Sequence, residues 1–346
     1  MIQAITFTNR FGRSLRCVLR EPERSGFAIK SIDGLGPGRS SVNIHDIATA
    51  DGGYFGSARF SSRNILVNFQ LVDFDIDWNY NPIEQVRHLS YEFFPPKTRV
   101  QIVVDTDSRS LVIEGYVESN DPNIFQQSAT VSVSILCPGY YFKMVTDGGS
   151  QQNVNIYGTG LFQFPFSNES LKKKLIQFGE IKPQQKYELY YDGDAETGFE
   201  MEILFNGLTV SGFSIANQPI GNSDKGPIGF ISPADAHRVV YNWNDDQIAS
   251  KYLQVTLSRI ASKLNGLYSN PIYTSGNRIL ISSVVGRKSA TFIDENNHAY
   301  NILDCFDHLD WLKVYPGYNE FEITTDLASV AHFAVNLRYE ALYTGV

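Results

Sequence analysis

The sequence predicts a mostly β protein built from two consecutive antiparallel β blocks. Aromatic residues are numerous, with 19 Tyr and 23 Phe among 346 residues, and such side chains favour strands because they fit a pleated face. Short stretches of alternating polar and apolar residues also recur along the chain, separated by turns rich in Gly, Asn and Asp. Charged residues make up only 19% of the chain, which is too little for a disordered protein.

The first block begins with paired strands. The segments IQAITFTN and RSLRCVLRE flank residues 9–12, a turn in which glycine supplies the positive φ, and are predicted to form a hairpin. A second hairpin is predicted around the polar turn at residues 105–110. Residues 58–76 are predicted as a strand pair or one bent strand, with alternating apolar residues, and ATVSVSILCP as the last strand of the block.

One helix is predicted within this block. Pro82 suits the first helical position, where a missing N–H costs nothing. Pro95 and Pro96 mark the end, since proline cannot continue a helix. Between them, apolar residues recur at helical spacing at Ile83, Val86, Leu89 and Phe93.

The domain boundary is predicted after Lys143, where the polar segment VTDGGSQQNVN begins. This gives a first domain at residues 1–143 and a second at 144–346, an antiparallel sandwich with an insertion at about 218–276. Within that insertion, residues 252–258 are predicted as a strand followed by a loop. A helical stripe competes with this interpretation, formed by Ile248, Tyr252, Ile260 and Leu264.

Composition excludes several classes of partner. The net charge is −8, the pI is about 5.3, and the only dense basic run is LKKKL, so sequence-specific nucleic-acid binding is not expected. No apolar run reaches the roughly 18–20 residues of a membrane span, so no membrane association is expected. The first residues lack the pattern of a signal peptide, which predicts synthesis and folding in a cytoplasm.

Motifs that carry chemistry are scarce. The loop GLGPG at residues 34–38 lacks the spacing of a phosphate-binding loop, and no GxSxG motif occurs. Cys305 and His308 in DCFDH could form a metal site or a thiol–imidazole pair, but a buried thiol beside a surface histidine is favoured. Glu200 and Glu202 share one face of a predicted strand, and a solvated face is favoured over a catalytic pair. Neither a cofactor, a metal nor an enzymatic activity is predicted.

Two stretches of the first block resemble the distal tail (Dit) proteins of long-tailed phages. That family shows a G-[YK]-V-x-[SG] strand followed by a strand that closes on Cys-Pro-x-Pro-[FY]. The second proline of the family pattern is absent here. The matching residues are Gly115, Tyr116, Val117, Cys137, Pro138, Tyr141 and Phe142.

The second block resembles the same family at two further places. YDGDAETGFEMEI, which contains Gly198, is similar to its G-[DT]-x-x-[ET]-G segment. Near the end, WLKVYPGYN is similar to its W-x-x-[LV]-x-P-G-x-N signature, and the chain closes on Tyr-x-Gly-Val. Trp311, which we expect in the core, would anchor the turn of this signature. The matching residues are Trp311, Pro316, Gly317 and Asn319.

The resemblance implies a structural virion protein located at the phage tail tip and made in the host cytoplasm. Its first domain would be a β-sandwich-like ring domain with one helix, which assembles into a hexameric ring. Its second domain would be a galectin-like β-sandwich. The implied partners are the tail tube protein, the tail-tip (Tal) protein, the receptor-binding protein and host-surface carbohydrate.

Two other classes remain open. One is a carbohydrate-binding adhesin or baseplate accessory module that uses exposed aromatic residues between Phe213 and Tyr273. The other is a glycosidase or peptidase that depends on a single Glu or Cys. Within the resemblance, Cys137 is expected to be a buried thiol, and Pro138 and Gly139 to redirect the chain.

Overall fold

The computed structural model describes residues 1–47, 51–72, 74–76, 79–81, 83–123, 129–145, 150–157, 184–205, 212–219, 251–264, 267, 276–325 and 333–346. These residues form two compact units, Met1–Ser150 together with Leu342–Val346, and Gln151–Ala341. The sequence placed the division after Lys143 and assigned residues 144–346 to the second domain. As functional domains, those two ranges stay a prediction.

The described chain is mostly β, as predicted. The strands of the first unit are β1 (Ile2–Asn9), β2 (Ser14–Val18), β3 (Phe27–Asp33), β4 (Ser40–Asp46), β5 (Gly53–Phe60), β6 (Arg63–Leu71), β7 (Phe74–Ile76), β8 (Asn79–Asn81), β9 (Arg99–Thr106), β10 (Ser110–Asn123), β11 (Thr130–Cys137) and β12 (Phe142–Met144). Those of the second unit are β13 (Gln151–Tyr157), β14 (Gln184–Tyr191), β15 (Phe199–Phe205), β16 (Gly212–Pro219), β17 (Lys251–Thr256), β18 (Arg278–Ser282), β19 (Ser289–Ile293), β20 (Ala299–Asn301), β21 (Phe306–Leu309), β22 (Gly317–Thr325) and β23 (Phe333–Glu340). The last strand, β24 (Leu342–Tyr343), returns to the first unit.

The main sheet of the first unit has the order β2-β1-β9-β10-β11-β6-β3, and β12 pairs with both β10 and β24. Phe7 of β1 and Phe69 of β6 lie with ring centroids 5.7 Å apart, although three strands separate them in this order. In a flat sheet, strands four places apart would lie about 19 Å from one another. The sheet therefore curls, and the enclosed space is an aromatic core completed by Phe27 and Phe94.

The predicted helix is confirmed as α1 (Ile83–Phe93). Val86 and Phe94 are fully buried and dock this segment on the curled sheet. The side-chain amide of Asn120 donates to the carbonyls of Ser90 (2.9 Å) and Phe94 (3.2 Å). The carbonyl of Ser90 also accepts from the backbone N–H of Phe94 at 2.9 Å, so Asn120 adds a second donor there and ties the end of the helix to β10.

The predicted hairpins of the first block are also confirmed. In the β1–β2 turn, Gly12 has φ +77°. The carboxamide oxygen of Asn9 accepts from the backbone N–H groups of Phe11 (3.0 Å) and Arg13 (3.1 Å), which replaces missing backbone partners in the turn. The second hairpin is formed by β9 and β10.

The second unit contains two antiparallel sheets, with the orders β13-β23-β15-β18-β19-β20 and β14-β22-β16-β17-β21. Alternate residues of β15 and β22 are buried, and Phe199 and Phe321 from the two sheets lie 5.9 Å apart. The antiparallel sandwich is therefore confirmed.

The segment predicted as a strand followed by a loop is only half correct. β17 is present, but the residues after it form a helix, α2 (Leu257–Leu264), instead of a loop. Leu257, Ile260 and Leu264 are buried on one side of this helix. Among the residues that the structure describes, no helix is long and apolar enough to cross a membrane.

Candidate assembly surface

The β4–β5 hairpin exposes both of its faces. Its register pairs Val42 with Ala58 and Ile44 with Phe55, so these side chains share one face. The opposite face carries polar pairs such as Asn43 with Ser57. We call the first of these the apolar hairpin face, and define it by Val42, Ile44, Phe55 and Phe60.

The apolar hairpin face is uncovered in the single chain. Val42, Ile44 and Phe55 are 51%, 61% and 66% exposed. An alternating two-stranded ribbon of this kind normally packs its apolar face on a core, and an isolated hairpin is marginally stable in water. Clustered exposed apolar side chains of this kind mark an interaction surface.

The base of the hairpin is fixed by aromatic stacking. The ring of Phe60 stacks on that of Tyr140, with centroids 4.0 Å apart and an angle of 11° between the planes. The hydroxyl of Tyr140 accepts from the backbone N–H of Gly38 at 2.7 Å. The hairpin therefore starts from a defined position on the first unit.

Arg63 lies directly beneath this base and is 4% exposed. Its guanidinium donates to four backbone carbonyls from three separate parts of the chain. Two of these belong to the GLGPG loop, one to the segment after β11, and one to the C-terminal segment. The acceptors are the carbonyl oxygens of Gly34, Gly36 (2.6 Å), Tyr140 (2.9 Å) and Thr344 (2.6 Å).

Arg63 is held without a carboxylate partner among the described residues. Burial lowers the pKa of its guanidinium, because removal from water disfavours the charged form. Carbonyl dipoles compensate the charge, and the rings of Tyr140 and Phe142 lie 4.7 Å and 4.8 Å from the guanidinium carbon. We call Arg63 and these partners the Arg63 anchor.

The C-terminal segment belongs to this anchor. β24 pairs with β12, and the side chain of Tyr343 is fully buried beside Arg109, whose guanidinium carbon lies 4.4 Å from the ring centre. The backbone N–H of Val346 donates to the carbonyl of Leu35 at 3.0 Å. The last residues thus complete the first unit.

The structure brings Gly115 and Cys137 of the first motif together. A Cβ atom at Gly115 would lie 2.7 Å from Sγ of Cys137, so the close approach of β10 and β11 requires glycine there. Phe142 is fully buried beside Arg63, and Tyr141 is half-buried against Tyr140. Of the three other motif residues, Val117 is buried, whereas Tyr116 and Pro138 are exposed.

The second-unit motifs also meet. A pair of 2.9 Å backbone hydrogen bonds joins Thr197 to Val314, which places Gly198 beside the segment that leads into the turn. A Cβ atom at Gly198 would lie 2.5 Å from the carbonyl oxygen of Ser283, so a side chain does not fit there. Sequence spacing alone did not show this contact.

Asn319, rather than Trp311, fixes the turn after Val314. Its side chain is fully buried, accepts from the N–H of Tyr315 (2.9 Å), and donates to the carbonyls of Tyr315 (2.7 Å) and Gly317 (3.2 Å). Gly317 has φ +89° and Pro316 is buried. The expectation that Trp311 lies in the core is wrong: it is half-buried, and the Lys288 ammonium lies 5.4 Å from its ring centre.

The candidate reactive residues Cys305, His308 and Glu202 have the following surroundings. Cys305 is buried, whereas the ring of His308 stacks on Tyr252 at 4.0 Å and faces the carboxylate of Asp310 at 3.1 Å. Glu202 lies between Arg278 (3.7 Å) and Arg338 (3.3 Å) as part of an ion-pair cluster. Within the described ranges, no group of three or more His, Cys, Asp or Glu is placed to hold a metal ion.

All three cysteines are buried, and burial raises the pKa of each thiol, to about 12 at Cys17 and about 11 at Cys137. Relative to the ordinary value of 9.0, the shift at Cys137 lowers its thiolate fraction about 100-fold. We expect a soluble disulfide reagent at pH 8 to label the native chain slowly, and all three thiols rapidly after unfolding. Rapid labelling of Cys137 in the native chain would contradict its structural role.

No protein-family model matches the chain, and no curated protein does. Among solved structures, the Dit protein of phage SPP1 aligns with a TM-score of 0.54 and 11% identity, over 98% of this chain and 98% of that chain. This chain has the Dit fold.

Two further matches are the baseplate of phage P2 in its activated conformation with Ca and with Sr. They align with TM-scores of 0.37 and 0.35 at 13% and 12% identity, over 98% and 96% of this chain and 98% and 97% of those chains. The resemblance to Dit proteins that the motifs indicated is confirmed at the level of the fold by the SPP1 match, which spans the chain. Arg63 and Thr344 were not identified from the sequence.

Proposed function

We propose that this chain is a structural component of a phage tail tip, a distal tail protein that forms a hexameric ring in the virion. The observation that carries the proposal is the apolar hairpin face, because its exposed side chains require a partner. The Dit fold supports assembly into a tail-tip hub, since SPP1 Dit is described as a paradigm of the hub adsorption apparatus in phages that infect Gram-positive bacteria. The sequence motifs of the Dit family support the ring.

The partner of the apolar hairpin face is a second copy of this chain. In a closed ring, each copy presents the same hairpin and the same receiving surface, so every apolar hairpin face is covered. The Arg63 anchor fixes the base of the hairpin through Tyr140 and Phe60, which lowers the entropy lost when the hairpin docks. Assembly through such preorganised contacts, and not turnover of a substrate, is the proposed mechanism.

The remaining contacts follow from this position in the virion. The ring would join the tail tube protein on one side and the tail-tip (Tal) protein on the other, and the second unit would present the receptor-binding protein. Such a hub lies at the distal tail after synthesis in the host cytoplasm. No catalytic step is part of the proposal.

Phe55→Asp tests the ring, because it places a charge on the apolar hairpin face without touching the core. We expect the unmodified chain at about 100 μM to give particles of six copies, or two such rings, in native mass spectrometry and electron microscopy. The variant should be folded and monomeric. Ser57→Asp, on the polar face of the same hairpin, is the matched control and should still assemble.

Two results would contradict the proposal. The first is an unmodified chain that stays monomeric at this concentration. The second is a Phe55→Asp ring as stable as that of the unmodified chain, since the apolar hairpin face would then not be the interface. Circular dichroism of both variants shows whether the fold is retained.

A further inference from the structure

Both strands of the exposed hairpin, β4 and β5, connect directly to the Arg63 anchor. β4 starts two residues after Gly38, whose backbone N–H donates to the hydroxyl of Tyr140 at 2.7 Å. β5 ends at Phe60, which stacks on the ring of the same tyrosine. The position of the hairpin therefore depends on how firmly the loop of residues 34–38 is held.

Residues 342–346, which we call the strap, pack on this loop. A Cβ atom at Gly345 would lie 3.1 Å from the backbone carbon of Gly36 and 3.1 Å from the ring of Pro37. Even a methyl group would press on the loop at this position, and a larger side chain would push the strap and the loop apart.

Hydrogen bonds join the strap to the loop both directly and through Arg63. The backbone N–H of Val346 donates to the carbonyl of Leu35 at 3.0 Å. The carbonyl of Thr344 accepts from the guanidinium of Arg63 at 2.6 Å, and the same guanidinium donates to the carbonyl of Gly36 at 2.6 Å. One buried cation thus bridges the strap and the loop that leads into β4.

The strap follows the second unit along the chain, although it belongs to the first unit. It pairs with β12, which ends at Met144, so all of Gln151–Ala341 lies between the two paired segments. Closing so long a loop is entropically unfavourable while it is unfolded. Within the folded second unit Gln151 pairs with Glu340, which brings the two ends of that unit together. The strap therefore docks only after the second unit has been made, and most readily once it is folded.

The aromatic stretch that the sequence suggested for sugar binding lies within the second unit. Phe213, at its start, is buried, and the ring of Tyr252 stacks on His308. Residues 220–250 and 268–275 of the stretch lie outside the described residues. Sugar binding by that stretch stays a prediction.

We propose that the strap makes ring assembly conditional on synthesis of the second unit. Without the strap, the loop before β4 loses the packing of Gly345 and the hydrogen bond to Leu35, and the hairpin loses its fixed position. A mobile hairpin loses more entropy when it docks, so rings form less readily. The consequence for assembly rests on the proposed function, whereas the effect of the strap on the hairpin does not.

Gly345→Val tests the strap in the full chain, because the added side chain pushes residues 345–346 away from the loop. The measurement is hydrogen exchange, compared with and without the change in the Phe55→Asp variant, so that the hairpin is observed outside a ring. We expect the amides of β4 and β5 to exchange about 5-fold faster in Gly345→Val. The amides of β9 should keep their protection, which shows that the first unit is folded.

Two further variants make this measurement specific. Gly139→Val is the matched control, since a Cβ atom at Gly139 lies more than 4 Å from the described residues other than its chain neighbours, and it should leave β4 and β5 unchanged. Val346→Pro removes only the N–H that donates to Leu35, and it should speed exchange about 2-fold. If Gly345→Val unfolds the first unit, Val346→Pro decides the test.

Ring formation is measured by native mass spectrometry with Phe55 unmodified. Gly345→Val should raise the concentration at which rings form about 10-fold, and a chain that ends at Ala341, without the strap, should form none at about 100 μM.

Three results would overturn the proposal. The first is unchanged exchange of β4 and β5 in Gly345→Val. The second is faster exchange with rings that form as readily as those of the unmodified chain. The third is normal assembly of the chain that ends at Ala341. If the unmodified chain itself forms no rings, the proposed function fails, and the exchange of β4 and β5 alone decides whether the strap holds the hairpin.

Discussion

Replacing Arg63 with alanine should lower the free energy of unfolding of the first unit by about 4 kcal/mol. The substitution removes four hydrogen bonds from a charged donor to backbone carbonyls of the GLGPG loop, Tyr140 and Thr344. It also leaves a cavity between the rings of Tyr140 and Phe142. Relief of the desolvated charge offsets part of this loss, which is why the expected value is below the sum of the individual bonds.

Hydrogen exchange measured by mass spectrometry shows which of the two units Arg63→Ala destabilises. Amides of β6 and β11 should lose protection in Arg63→Ala, because Arg63 begins β6 and pairs with Cys137. Amides of β15 in the second unit should keep theirs and serve as an internal reference. The C-terminal residues 342–346 should exchange faster than any other part of the first unit, since they lose the bond to Thr344.

Two variants act as controls for Arg63→Ala. Arg13→Ala removes an exposed arginine that pairs with Glu92 at 3.3 Å, and it should cost less than about 1 kcal/mol. Arg63→Lys keeps the charge but not the planar donor group, and it should be intermediate. A loss of under about 1 kcal/mol in Arg63→Ala would mean that water replaces the guanidinium at these carbonyls.

The elements that could be predicted from the sequence are those encoded by neighbouring residues. The α1 helix has a stripe at helical spacing and prolines at both ends, and the β1–β2 and β9–β10 turns carry their own turn residues. By contrast, the apolar residues of β17 and α2 fit both the alternation of a strand and the spacing of a helix. Tertiary packing buries Ile260 and Leu264, and this burial favours a helix over the predicted loop.

The Arg63 anchor could not be predicted because its partners lie up to 281 residues away along the chain. One signal was nevertheless present. Arg63 lies on the same face of β6 as Ile65, Val67 and Phe69, whose side chains are buried. A charged residue on the apolar face of a strand must find partners, but the sequence does not say which. Trp311 illustrates the reverse error, because size and apolar neighbours suggested a core position that Leu312 and Val314 occupy.

Asn319→Ala should lower the free energy of unfolding of the second unit by about 3 kcal/mol. The buried carboxamide makes three hydrogen bonds to the backbone of Tyr315 and Gly317, in the turn that leads into β22. It also accepts from the side chain of Asn217 at 3.4 Å. Alanine satisfies none of them, so buried donors and acceptors remain without partners.

Hydrogen exchange in β14 and β22 reports on this turn, with urea unfolding of the chain followed by circular dichroism as a second measurement. Asn153→Ala is the matched control, because that carboxamide is exposed and has no hydrogen-bond partner among the described residues, and it should change the free energy by less than about 0.5 kcal/mol. If the two asparagine variants were equally stable, the backbone of residues 315–319 would hold the turn alone. A selective loss in Asn319→Ala would instead show that one buried amide orders the entry into β22, the strand between β14 and β16.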